Sequence, residues 1–209
     1  MSAETASTNA DGDTGPSTRR GRPGYDRESL LRVAVAVFND RGYDGTSMED
    51  LANRLGITKS AIYHHVPSKT ELLRLAVNRA LDGLFAVVAE PASNTGSATA
   101  RLEHLVRRSV EVLVAELPFV TLLLRVRGNT EVERSALARR REFDGIVTDL
   151  ARAAIAEGGI RPDVDAAIAA RLLFGMVNSL IEWYRPDRGH DVGEIADAVA
   201  AMAFGGLRL

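Results

Sequence analysis

Cysteine is absent from the 209-residue chain, which excludes disulfides, thiol redox sensing and Cys-based zinc sites. Histidine is scarce: of four, only His64 and His65 are neighbours, and adjacent helical side chains point about 100° apart and chelate poorly. No metal is therefore expected. Long apolar runs are also missing, none approaching the ~20 residues of a bilayer span, and the N-terminus has no signal-peptide hydrophobic region. The expectation is a cytoplasmic protein without a membrane partner. No apolar/polar alternation of the strand type occurs. Phosphate-cradling glycine loops, nucleophile–base constellations and metal-ligand sets are lacking too, so neither a cofactor nor enzymatic activity is expected. What is present is 45% apolar residues, enough for one or two domains with a sizeable core.

A formal net charge of −2 conceals an asymmetry along the chain. Residues 1–18 carry −3, residues 19–79 carry +4 and residues 80–209 carry −3; only the middle block suits a polyanion. Residues 1–24, rich in Ser, Thr, Gly, Ala and Asp, read as a disordered polar arm. Its Arg19, Arg20 and Arg22, within Arg-Gly-Arg-Pro, resemble the core of a minor-groove hook, and they equally fit a flexible basic linker. Under either reading they add salt-dependent affinity for DNA.

Residues 46–69 organise the rest. Ser47 with Asp50 resembles a capping box, Leu51, Ala52 and Leu55 supply one apolar face, and Gly56 ends a two-turn helix. Thr58, itself a candidate DNA contact, caps a second short helix, 59–65, whose outward side is Lys59, Ser60, Tyr63 and His64. Such donors, acceptors and a flat ring suit base edges in a major groove, while Ser47, His65 and Lys69 suit phosphates. An ordinary αα-hairpin has the same helix lengths. A first helix over 26–41 braces this pair. A long helix from Ser68, with Glu71 as the box partner, to about residue 90 leads away from it. Further helices are predicted over 98–116, 119–126, 130–157 (a Thr130/Glu133 box), 164–184 (capped by Asp163) and 191–204 (stopped by Gly205-Gly206). Gly83, inside the long helix, marks a bend or close packing. The expected fold is all-α, about nine helices: a three-helix DNA-binding domain over 25–70 and a larger helical domain over 71–209.

From residue 27 to about 75 the sequence resembles the DNA-binding domain of the TetR family of one-component transcriptional regulators. The resemblance rests on Phe38, Gly42, Tyr43, Thr46, Ser47, Leu55, Gly56, Ile57, Ile62, Tyr63, His65, Val66, Lys69 and Leu72 at the family's offsets, with Val66 where Phe is commoner. It implies a homodimeric repressor bound to a palindromic operator, a small effector between the helices of the larger domain, and a four-helix dimer interface built from the last two helices of each subunit. The larger domain also resembles actinobacterial regulators of fatty-acid, steroid and aromatic-acid breakdown, some responsive to acyl-CoA thioesters.

Residues compatible with those roles are present. The penultimate helix is apolar nearly all round and must be buried on more than one side; with the last helix it offers Leu172, Met176, Leu180, Trp183, Ile195, Val199 and Met202 to a partner subunit. Arg140 falls within the apolar stripe of the 130–157 helix, three residues before Phe143, where a guanidinium needs either an anionic ligand or an internal carboxylate. Arg125 and Asn129, with Phe174, Asn178 and Glu182, complete a candidate apolar pocket with polar anchors. Arg125, Arg127, Arg139, Arg140 and Arg141 are the candidates for phosphate groups of a thioester effector. Three alternatives stay open: a regulator without an effector, an activator, and a helical carrier or enzyme with a vestigial DNA reader.

Overall fold

The computed structural model describes residues 26–207. The arginine-containing arm with Arg19, Arg20 and Arg22 lies outside the described residues. Among the described residues all regular structure is helical. The first helix, α1 (Arg27–Arg41), starts where the Asp26 carboxylate accepts the Ser29 amide at 2.7 Å. It is followed by α2 (Met48–Leu55), α3 (Lys59–His65) and α4 (Lys69–Ala89). After a 3-10 turn at Pro91–Ser93 come α5 (Ala98–Ala115), α6 (Leu117–Arg125), α7 (Glu131–Ala156), α8 (Ala166–Trp183) and α9 (Val192–Leu207).

Local chemistry sets most of these boundaries. Ser47 and Thr130 form complete reciprocal boxes with Asp50 and Glu133, each satisfying two otherwise orphaned amides. At Ser68 only half a box forms. The Ser68 hydroxyl accepts the Glu71 amide at 3.1 Å, while the Glu71 carboxylate turns to Arg74. Two predicted boundaries are corrected. Helix α8 is capped by Asp165, which accepts the amides of Ala167 and Ile168, because Asp163 is held in a two-point ion pair with Arg161. Helix α9 continues through Gly205 and Gly206 to Leu207, whose carbonyl accepts the Arg161 amide at 2.9 Å. That tertiary bond anchors a last turn whose glycines would otherwise favour termination.

The first three helices pack as a small unit whose core is Leu30, Ala34, Phe38, Leu51, Leu55 and Ile62. Helix α4 continues from this unit into the larger domain, where it packs on α5, α6 and α7. Helix α5 is the hub there, contacting α4, α7, α8 and α9. Gly83 marks close packing: a Cβ on it would lie 2.9 Å from Val112 Cγ1, so α4 and α5 approach as closely as they do because no side chain intervenes. Helix α8 has the length and composition of a membrane span. In the fold it packs on α5, α6, α7 and α9.

Candidate functional site

The turn between α2 and α3 is set by Gly56 at φ +65°, a left-handed conformation that costs little only for glycine. Behind it, the Ile57 amide closes on the Ala52 carbonyl at 3.1 Å. Thr58 starts α3 by accepting the Ala61 amide at 3.2 Å, and Ile62 and Val66 are buried against the small core. With that side anchored, Lys59, Ser60, Tyr63, His64 and His65 all stand exposed. Tyr63, 45% exposed, is one of the few large rings left in solvent. The face expected to meet base edges is therefore presented together on one side of α3.

Two of the expected phosphate contacts have other work in this structure. The Ser47 hydroxyl donates to Asp50 Oδ2 at 2.6 Å within its capping box, which holds the Asp50 carboxyl below the usual aspartate range. The Lys69 ammonium donates to the carbonyls of Tyr43 (2.9 Å) and Thr46 (2.7 Å) and sits 4.3 Å above the Tyr43 ring. Lys69 thus ties the start of α4 to the α1–α2 turn. Lys69 is used internally because the turn's carbonyls have no helical partner, and Ser47 because it completes the start of α2 with Asp50.

The seam between the small unit and the larger domain is polar. Asn39 of α1 donates its side-chain amide to the Pro118 carbonyl at 2.8 Å, and the Arg125 guanidinium donates to the Asn39 carbonyl at 2.9 Å. The Asn129 amide reaches Asp44 at 3.4 Å. Arg79 of α4 bonds Glu28 (2.5 Å) and Glu116 (2.7 Å) and stacks 4.3 Å over Phe119. Its hydrogen bond to Glu28, aided by its charge, holds the Glu28 carboxyl below the usual glutamate range. Here the structure corrects the sequence reading: Arg125 and Asn129 face the reader unit across this seam and do not line the pocket of the larger domain. Asn39 and Arg79 were not anticipated, because nothing in their local sequence shows what lies across from them.

Within the larger domain Arg140, Phe143, Phe174 and Asn178 do come together. They line an interior cavity of about 40 Å³, walled otherwise by Asp144 of α7, Leu81 and Leu84 of α4 and Val120, Leu123 and Leu124 of α6. Phe143 meets Phe174 and Phe85 edge-to-face, at centroid distances of 5.1 and 6.0 Å. Arg140, Asp144, Phe174 and Asn178 also line an outer groove of about 400 Å³ between α7 and α8, which adds Arg141, Gly145, Thr148, Arg171 and Gly175. Partial burial raises the Asp144 carboxyl above the usual aspartate range, against the opposing pull of Arg140 and Arg171. Glu182 is exposed and lines neither space, a second correction. Arg139 is paired with Asp82 and Asn78. Arg171 was missed although its spacing to Phe174 and Asn178 places it on their helix face.

The proposed partner-facing residues divide. Leu172 (64% exposed), Trp183 (50%) and Met202 (75%) stand in solvent together with Ile168 (56%), and Met176 and Val199 are half-buried. Leu180 and Ile195 are buried within the subunit, a third correction, because α5 and α7 cover that side of α8 and α5 covers the inner side of α9.

Comparisons with known proteins agree with this architecture. Residues 30–76 match the family model described as bacterial regulatory proteins, tetR family, and residues 95–207 match that of the tetracyclin repressor-like C-terminal domain. A crystal structure of a TetR transcriptional regulator family member from Streptomyces coelicolor is 60% identical with a TM-score of 0.81, covering 86% of this chain and 91% of that one. The HTH-type transcriptional repressor KstR2 of Rhodococcus jostii is 28% identical over 87% of this chain and 90% of its own length. The crystal structure of AibR in complex with isovaleryl coenzyme A and operator DNA is 27% identical with a TM-score of 0.73, covering 85% of this chain and 97% of that one. With a helix-turn-helix unit and a larger helical domain each matched in its own right, the chain belongs to the TetR family of DNA-binding transcriptional regulators.

Proposed function

We propose that the protein is a homodimeric, cytoplasmic repressor without enzymatic activity, which holds a palindromic operator through α3 and leaves it when a small effector enters the larger domain. The observation that carries this reading is the continuity of α4. It begins at Lys69, tied to the reader unit, and ends as a wall of the interior cavity through Leu81 and Leu84. An effector that widens the cavity moves α4 and so changes the spacing of the two reader helices, which must sit ~34 Å apart to meet successive major-groove turns. The exposed apolar stripe of Ile168, Leu172 and Trp183 on α8, with Met202 on α9, supports dimerisation.

Titration of a labelled operator fragment, first with the protein and then with candidate effectors, tests the reading. It fails if operator affinity is unchanged by a molecule that saturates the protein. One observation favours a second reading, a regulator without an effector: 40 Å³ is far below the ~300–1,000 Å³ of usual small-molecule sites. The two separate on whether any ligand raises the melting temperature, since a ligand bound only to the native state must do so.

A further inference from the structure

Asn39, near the C-terminal end of α1, is held by both ends of α6. Its side-chain amide donates to the carbonyl of Pro118, in the first turn of α6, at 2.8 Å. Its own carbonyl accepts the guanidinium of Arg125, the last residue of α6, at 2.9 Å. Pro118 and Arg125 stand two turns apart, about 10 Å along the helix axis. A slide of α6 along α1, or a rotation of α6 about its own axis, breaks at least one of the two bonds.

The Arg125 bond has a local cause. A carbonyl in the last turn of a helix has no amide one turn further on, and the helix dipole favours a cation there. Asn39 lies two residues before the end of α1, and the Gly42 amide closes on Phe38. Asp44 and Glu133 line the same seam, but Asp44 takes the Asn129 amide and Glu133 the Thr130 amide, which leaves the Arg125 guanidinium to the carbonyl. Arg125 therefore supplies from the larger domain a cap that α1 lacks. The Asn39 side chain is less well matched. Its Oδ1 is buried and accepts no hydrogen bond among the described residues. An orphaned buried acceptor costs at least what one neutral hydrogen bond returns, so Asn39 adds little to stability, and what its two bonds do is position.

Positioning is needed because α4 alone does not provide it. Helix α4 runs through both units, and a roll of the reader about the α4 axis leaves α4 itself intact. Much of the seam beside it is hollow, an opening of about 310 Å³ bounded in part by Tyr43, Leu73, Leu122 and Val126. Contacts off the α4 axis, from α6 to α1, resist the roll. We infer that Asn39 and Arg125 are positioning residues for operator recognition: they fix the roll of each reader on α4 and so set the half-site spacing that the two readers of a dimer accept. The inference rests on the homodimeric operator reading above and needs no effector.

The test is fluorescence anisotropy of the full-length protein on its operator and on two versions with one base pair added to or removed from the centre. One base pair moves a half-site ~3.4 Å and turns it ~35°. Wild-type protein is expected to discriminate against both altered spacings. Arg125→Met is expected to weaken binding to the native spacing about tenfold, the equivalent of one charge-assisted hydrogen bond, and to leave the altered spacings unchanged, so that the ratio collapses. Arg125→Lys keeps a donor for the carbonyl and is expected to restore most of the ratio. Asn39→Ala is expected to lose the ratio without a fall in melting temperature, because the orphaned Oδ1 goes with the Pro118 bond. A merely structural role lowers affinity for all three spacings equally and keeps the ratio. The wild-type ratio in either Arg125→Met or Asn39→Ala overturns the inference, as does wild-type protein that binds without preferring a spacing. Wild-type protein that binds no operator refutes the operator reading and the inference with it.

Discussion

Replacing Lys69 with Met separates two roles that the same residue type serves in a DNA-binding protein. The methionine keeps the apolar stem and deletes the ammonium, so the Thr46 carbonyl loses its Lys69 donor, the Tyr43 carbonyl keeps only the Thr46 amide at 3.2 Å and the Tyr43 ring loses its cation. Each hydrogen bond from a charged donor contributes ~1.5–3 kcal/mol and the ring interaction ~0.5–1 kcal/mol. Water reaches this half-buried turn and replaces part of the loss, so the net cost is about 2–3 kcal/mol. For a protein of this size that lowers the melting temperature by roughly 5–10 °C. Specific operator affinity should fall as well, since α4 loses its tie to the reader unit, but the slope of log affinity against log salt should stay the same. A phosphate anchor behaves in the opposite way: its removal lowers that slope by ~0.9 for each phosphate no longer neutralised and leaves the melting temperature unchanged. Differential scanning calorimetry and fluorescence anisotropy at several salt concentrations measure both quantities. An unchanged melting temperature with a shallower salt slope would refute the internal role of Lys69.

The reader face itself is tested by Lys59→Ala and Tyr63→Ala, each expected to cost ~1–3 kcal/mol of specific operator binding with thermal stability preserved, because both side chains are exposed; wild-type operator affinity in both variants would displace the face. At the seam, Arg79→Met should destabilise by about 1–3 kcal/mol through loss of the Glu28 and Glu116 pairs and the Phe119 stacking. It should also alter the acid dependence. The Glu28 carboxyl is depressed in the fold, so its contribution is present above the ordinary glutamate range and lost as pH falls through and below it; urea unfolding from neutral to acid pH should show a shallower decline in the variant. Leu172→Glu places a charge in the exposed stripe of α8 and should convert a dimer to folded monomers in sedimentation velocity. A variant that still sediments as a dimer would move the interface elsewhere.

Much of the fold was legible because its boundaries are local. The Ser47–Asp50 and Thr130–Glu133 boxes span three residues each, and the short α2 and α3 helices end where Gly56, Thr58 and Val66 place them. The misread boundaries are those where a neighbour competes or a distant group intervenes. Asp163 was drawn off by Arg161, leaving Asp165 as the cap, and the Leu207 carbonyl found the Arg161 amide and kept α9 helical past two glycines. The exposed set on α3 was likewise readable, because with Ile62 buried the helical period decides what faces outward.

What the sequence determined by itself is therefore the helical order, most of the caps and the exposed face of α3, all governed by separations of a few residues along one helix. The tertiary structure alone decided which partners the long cationic side chains meet: Lys69 on the turn carbonyls, Arg125 on Asn39, Arg79 between Glu28 and Glu116, and Arg140, Arg141 and Arg171 around one groove. It also decided that Leu180 and Ile195 turn inward while Leu172 and Met202 face solvent. An arginine reaches across whatever gap the packing of distant helices leaves, and that gap depends on crossing angles and rotations that no single segment encodes.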